Sequence, residues 1–98
     1  MKLFEILRDI PFSGAGGEDD PEIAGITCDS RRVGPGWVFV CIRGVETDGH
    51  RFAAQAEKAG AAAIVAEESV GCPACTGRAV QVLVPSCRKA WAQMCANW

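Results

Sequence analysis

The chain has no excess of positive charge: ten Lys and Arg stand against twelve Asp and Glu in 98 residues. Without a basic field nothing draws in a nucleic-acid backbone or an anionic membrane surface, so neither is expected as a partner. A long hydrophobic run is also missing. Lys2, Glu5, Arg8 and Asp9 interrupt the apolar residues at the start, which excludes an export signal or a membrane span there and leads to the expectation of a cytoplasmic protein. Histidine is nearly absent. His50 stands alone, with no Ser or Cys nucleophile pattern around it, so a triad has no support. No carboxylate and histidine cluster has metal-ligand spacing.

Cysteine is not scarce. There are six, at positions 28, 41, 72, 75, 87 and 95. With no export signal and an adequate core they are expected as reduced thiols, several of them acting as small buried hydrophobes. The Cys72 and Cys75 pair invites a sharper comparison. A redox C-x-x-C opens a helix, whereas Thr76 and Gly77 follow here. Four-cysteine zinc needs a second close pair, and Cys87 and Cys95 are too far apart. A surface loop is the plainer reading, and a small thiol or zinc module is the competing one.

At this length residues 1–98 are one domain. Residues 2–9 place Leu3, Ile6, Leu7 and Ile10 at helical spacing until Pro11 stops the pattern. The glycine-rich, acidic run from 13 to 21 reads as a mobile loop. It is no phosphate loop, since no strand precedes it and the Lys-Ser/Thr ending is missing. Residues 22–28 form a first strand that ends in the turn-favouring Asp29 and Ser30. Residues 37–42 are apolar throughout, the signature of a strand covered on both faces. Asp48 is placed to cap a helix whose stripe of Phe52, Ala53, Ala56 and Ala59 ends at Gly60.

A buried strand over 61–66 and a further strand over 80–84 follow. Ser86 then caps a final helix with Ala90, Trp91, Met94, Cys95 and Trp98 at helical spacing. That helix is still running at Trp98, which leads to the expectation of a piece of a longer protein. Strand, helix, strand implies right-handed parallel crossovers. The expected fold is therefore α/β, a three-layer α/β/α arrangement around a small, mainly parallel or mixed sheet of about four to five strands.

In open α/β sheets ligands collect outside the carboxyl ends of the strands. Two polar loops here fit, residues 29–36 after the first strand and 43–49 after the second. Ser30 can donate and accept in such a cleft, each hydrogen bond contributing roughly 0.5–1.5 kcal/mol net. The plainer alternative is a turn in which Asp29 pairs locally with an Arg.

The run Ile26, Thr27, Cys28, Asp29, Ser30, Arg31, Arg32, Val33, then Pro35, Gly36, Val38, Phe39, Val40, Ile42 and Gly44, continues through Thr47, Asp48, Gly49, His50 and Phe52 to Ala56, Gly60 and Ala61. In this order it resembles the amino-terminal domain of the E-type Mur ligases, the UDP-N-acetylmuramoyl-tripeptide synthetases of peptidoglycan synthesis. The likeness covers nearly the whole chain. The F-type Mur ligases share the Asp-Ser-Arg and Asp-Gly-His turns, and the opening helix and the Ile26-Thr27-Cys28 lead-in favour the E type.

The resemblance implies contacts to the uridine diphosphate end of the substrate at Cys28 and Ser30 in the first loop and at Val45, Glu46 and Thr47 in the second. Those at Cys28 and Val45 would run through backbone. Asp29, Arg31, Gly44, Asp48, Gly49 and His50 would support the turns. It implies no catalytic or metal-binding residue here, because ATP and Mg2+ belong to the family's central domain and the incoming amino acid to its last. The implied partners are UDP-N-acetylmuramoyl-peptide and those two further domains. Which amino acid is added is not legible in this chain.

Overall fold

The two all-apolar runs of the sequence lie side by side at the centre of a sheet. The computed structural model describes residues 2–13, 21–29, 31–42, 53–67 and 79–98. In chain order these contain α1 (Leu3–Ile6), β1 (Gly25–Thr27), β2 (Trp37–Val40), α2 (Ala53–Lys58), β3 (Ala63–Glu67), β4 (Val80–Val84) and α3 (Cys87–Asn97). The four strands pair in the order β1-β2-β3-β4, and every pairing is parallel. Of the parallel or mixed alternatives the parallel sheet is therefore realised. The only antiparallel links among the described residues are isolated bridges, Lys2 to Glu22 and Ser13 to Leu83. The second covers the outer edge of β4, with Ser13 and Leu83 exchanging two backbone hydrogen bonds of 2.8 Å.

Alternation along the strands divides the core into the two halves expected of a sheet covered on both faces. Val38, Val40, Ala63, Val65, Val82 and Val84 face Leu3, Ile6 and Leu7 of the α1 region and Cys87, Ala90 and Met94 of α3. Phe39, Cys41, Ile64 and Ala66 face the other way, onto Ala56 of α2 and onto Ala61 and Ala79. The first half is filled by branched and long side chains. The second has two large side chains, Phe39 and Ile64, and otherwise mostly alanine against the sheet, so α2 can lie close. Full burial of a Leu, Ile or Phe side chain contributes about 1.5–3 kcal/mol.

Several element bounds differ from those the sequence predicts. The first helix was expected over residues 2–9 but ends at Ile6, because Asp9 adopts a left-handed conformation with φ 65°. That breaks the helix before Pro11 can. Leu7 and Ile10 are buried all the same. The first strand is confined to Gly25–Thr27 rather than 22–28, since Glu22 bridges to Lys2 and Ala24 N–H donates to Gly36 O at 2.9 Å. The strand over 37–42 is Trp37–Val40, although Cys41 N–H still bonds Val65 O at 2.8 Å.

The α2 stripe is narrower than its spacing indicates. Ala56 is buried, but Ala59 is exposed in the turn leading to Gly60, whose φ of 105° ends the helix. A β-carbon at Gly60 would also stand 2.9 Å from Pro35 Cα. On α3, Cys87, Ala90 and Met94 point inward, while Cys95 is exposed and Trp98 is 51% exposed. The expected cap is present, with Ser86 Oγ accepting from Lys89 N–H at 3.5 Å. Phe52 and the capping position Asp48 lie outside the described residues.

Candidate functional site

β1 and β2 run in the same direction with Thr27 opposite Phe39, so the chain leaves both strands at one end of the sheet. The ends of the two strands are therefore neighbours, one strand spacing of about 4.8 Å apart. At the end of β1, Thr27 is 6% exposed. Its Oγ1 accepts from Asp29 N–H at 3.0 Å and lies 3.5 Å from Asp29 O, to which it can donate. Asp29 repeats the device two residues on. Its Oδ1 accepts from Arg31 N–H at 2.9 Å, and its carbonyl accepts from Arg32 N–H at 3.0 Å. Thr and Asp favour such turns because their side-chain oxygens reach the backbone N–H two residues later.

The Asp29 carboxylate also holds the Arg31 guanidinium, Oδ1 to Nε at 3.2 Å and Oδ2 to Nη2 at 3.3 Å. These hydrogen bonds keep the Asp29 carboxyl below its ordinary pKa and raise that of Arg31. The Arg31 side chain is 84% exposed, and an ion pair in water contributes little to stability. What the pair adds is direction, since the guanidinium is tied edge-on to its own loop. The local pairing weighed as an alternative from the sequence is thus present, and it occurs at the strand end where the functional reading needs an ordered turn.

Of the residues singled out for substrate contact, Cys28 is described and exposed as a free thiol. Asp29 and Arg31 are the described supporting residues. Ser30, Gly44, Val45, Glu46, Thr47, Asp48, Gly49 and His50 lie outside the described residues, as do Cys72 and Cys75. Cys41 and Cys87 are buried thiols and Cys95 an exposed one. Among the described residues no three His, Cys, Asp or Glu side chains gather as a metal ion requires, and no helix is long and apolar enough to cross a membrane.

Two features escaped the sequence reading. Glu57, beside Ala56 on α2, is only 7% exposed, and its Oε2 accepts from Ala79 N–H at 3.2 Å. A Glu within an alanine-rich helix carries no local sign of burial. The second is a cleft of about 390 Å³ between residues 9–11 and the start of α3, bordered by Asp9, Pro11, Val84, Ser86, Lys89 and Gln93. It lies at the end of β4, three strands from β1, so it is separate from the Thr27 to Arg31 turn. Pro11 and Ser86 were legible singly as helix signals, but not as two walls of one cleft.

A family model described as "Mur ligase family, catalytic domain" matches residues 22–98. A UDP-N-acetylmuramoyl-L-alanyl-D-glutamate--2,6-diaminopimelate ligase of Syntrophomonas wolfei is 42% identical over 98 residues, which is 100% of this chain and 19% of that protein. A UDP-N-acetylmuramyl-tripeptide synthetase of a Roseiflexus species is 45% identical over 98 residues, 98% of this chain and 18% of the relative. Among solved structures, MurF from Acinetobacter baumannii superposes with a TM-score of 0.73 at 22% identity, covering 96% of this chain and 20% of its own. At that identity the likeness is one of fold. The chain spans about a fifth of the length of the curated relatives it matches.

Proposed function

The chain belongs to the Mur ligase family, and from that premise we propose that it is the amino-terminal domain that holds the uridine diphosphate end of UDP-N-acetylmuramoyl-dipeptide. The whole enzyme would be a cytoplasmic, ATP-dependent ligase adding the third amino acid of the peptidoglycan stem. The relatives named for ligation at UDP-N-acetylmuramoyl-L-alanyl-D-glutamate favour this E-type reading. The carrying observation is the parallel register of Thr27 with Phe39, which starts both candidate loops at the same carboxyl end of adjacent strands. That is where open α/β sheets bind ligands.

In this reading the Cys28 to Arg31 turn contributes backbone groups and the Ser30 hydroxyl, and residues 45–47 contribute from the second loop. Asp29 and Arg31 keep the first loop in one conformation, which lowers the ordering cost of binding. ATP and Mg2+ would be held by the other four fifths of the enzyme. This chain lacks the Gly-Lys-Ser/Thr ending of a phosphate loop, and its described residues offer no cluster of metal ligands. Its contribution is binding and orientation of the nucleotide, not the phosphorylation of the peptide carboxylate or its displacement by an amine.

An amide NMR titration of the chain with uridine diphosphate, and separately with ATP, tests the proposal. Weak binding near a millimolar dissociation constant, about −4 kcal/mol, is expected for a substrate end bound without the rest of the enzyme. The shifts should concentrate at Cys28, Ser30 and residues 45–47 with the uridine ligand alone. A folded sample that responds to neither ligand, or equally to both, would overturn the assignment.

A further inference from the structure

Resting on the reading just proposed, we infer that Thr27 is the positioning residue of the nucleotide loop, its buried hydroxyl setting the direction in which the Cys28 carbonyl is presented. Thr27 is the last residue of β1 and is nearly inaccessible. Its Oγ1 lies 3.0 Å from Asp29 N and 3.5 Å from Asp29 O. One hydroxyl can thus accept from the Asp29 N–H while donating to the Asp29 carbonyl. Both backbone polar groups of Asp29 are held against a rigid strand end.

The consequence falls on Cys28. The Cys28 carbonyl and the Asp29 N–H belong to one peptide unit, which is planar and trans, so the two bonds point in opposite directions. With the N–H aimed at the buried hydroxyl, the carbonyl is aimed away from it, as an acceptor beside a residue that is itself exposed. A chain leaving a strand is otherwise free to rotate that unit, at a backbone ordering cost of about 1–2 kcal/mol per residue. Asp29 secures the far side of the turn through Arg31 N–H and Arg32 N–H, and Thr27 ties the near side to the core. The side chain at position 28 has no part in this, so the chemistry needed at 27 is a hydroxyl and at 28 merely a peptide group.

The test compares the 98-residue chain with its Thr27→Val and Thr27→Ser variants, titrating each with uridine diphosphate and following the amide spectrum with and without ligand. Valine keeps the shape and removes the hydroxyl; serine keeps the hydroxyl and removes the methyl. Thr27→Val should weaken binding about five- to tenfold, the equivalent of one net hydrogen bond, and displace the Asp29 amide resonance in the free chain. Thr27→Ser should stay within about twofold of wild type, as that hydrogen bond is retained. If the Val variant does not fold, Thr27→Ala against Thr27→Ser makes the same comparison with one oxygen as the only difference. A Val variant that binds as wild type does, or Val and Ser variants weakened alike, would overturn the inference while leaving the functional reading intact. A wild-type chain with no response to uridine diphosphate overturns that reading and the inference with it.

Discussion

The side-chain amide of Asn97 donates at 2.9 Å to the carbonyl of Ile6, ninety-one positions away. It also donates at 2.7 Å to Arg8 O, and its Oδ1 accepts from Gln93 Nε2 at 3.0 Å. The last turn of α1 leaves carbonyls without intrahelical partners, and Asn97 in the last turn of α3 supplies a donor to Ile6 there and a second to Arg8 just beyond it.

Asn97→Ala should therefore loosen the union of the two helices, at a cost of about 1–2 kcal/mol for two partly exposed hydrogen bonds. For a chain of this size that is a fall in Tm of roughly 4–15 °C, measured by thermal circular dichroism. Asn97→Asp should be worse than Ala, since a carboxylate presents only acceptors to two carbonyl oxygens.

Glu57 answers the backbone N–H of Ala79 from within α2, and Ala79 is only 4% exposed. Removing the carboxylate in Glu57→Ala leaves a buried donor without this acceptor, an expected loss of about 1–3 kcal/mol in urea denaturation. Glu57→Gln retains an oxygen at the same reach and should lose less than half of that. Equal stability of all three forms would show that the Ala79 N–H finds another partner.

The Asp29 to Arg31 turn should depend on pH in one direction only. Hydrogen bonds from Arg31 lower the Asp29 pKa, so the folded turn favours the ionised carboxylate. Its contribution is complete above the ordinary Asp pKa of about 3.9 and is lost as the pH falls through the lower folded value. The Arg31 amide resonance should accordingly hold constant from neutral pH down to about pH 4 and shift below it, and Asp29→Asn should abolish that titration.

Gly60 combines a left-handed backbone with a close neighbour, Pro35 Cα, only 2.9 Å from where a β-carbon would stand. Its carbonyl also accepts from Gly36 N–H at 2.9 Å, which joins the turn before β3 to the turn before β2. Gly60→Ala should lower stability by about 1–3 kcal/mol through backbone strain alone. A thermal midpoint within a degree of wild type would show that the turn relaxes at no cost.

Fold and site were legible to different depths. The all-apolar stretches around Phe39 and Ile64 and the Ser86 cap declared themselves because burial and capping leave local marks in residue type. Helix and strand ends did not. Asp9 in a left-handed conformation and Glu22 bridged to Lys2 are settled by distant packing that no window of sequence contains. At the site, Asp29 and Arg31 were readable as a turn pair. Thr27 was passed over because a threonine near a strand end looks like any β-branched residue, and its hydroxyl gains meaning only once Asp29 N–H is seen to meet it. Glu57 was hidden for the converse reason, since its partner lies beyond β3 in the chain, twenty-two positions on.

The order β1-β2-β3-β4 has a bearing on how the chain is born. Each strand joins the free edge left by the one before it, so on a ribosome the sheet can be assembled in the sequence of its synthesis, with short loop closures at every step. The helix α1 cannot share in this. Leu3, Ile6 and Leu7 belong to the same buried half as Met94, and Asn97 closes over Ile6. The residues of α1 therefore wait for those of α3, and a nascent chain halted before α3 would carry the four strands with one oily face still open to water.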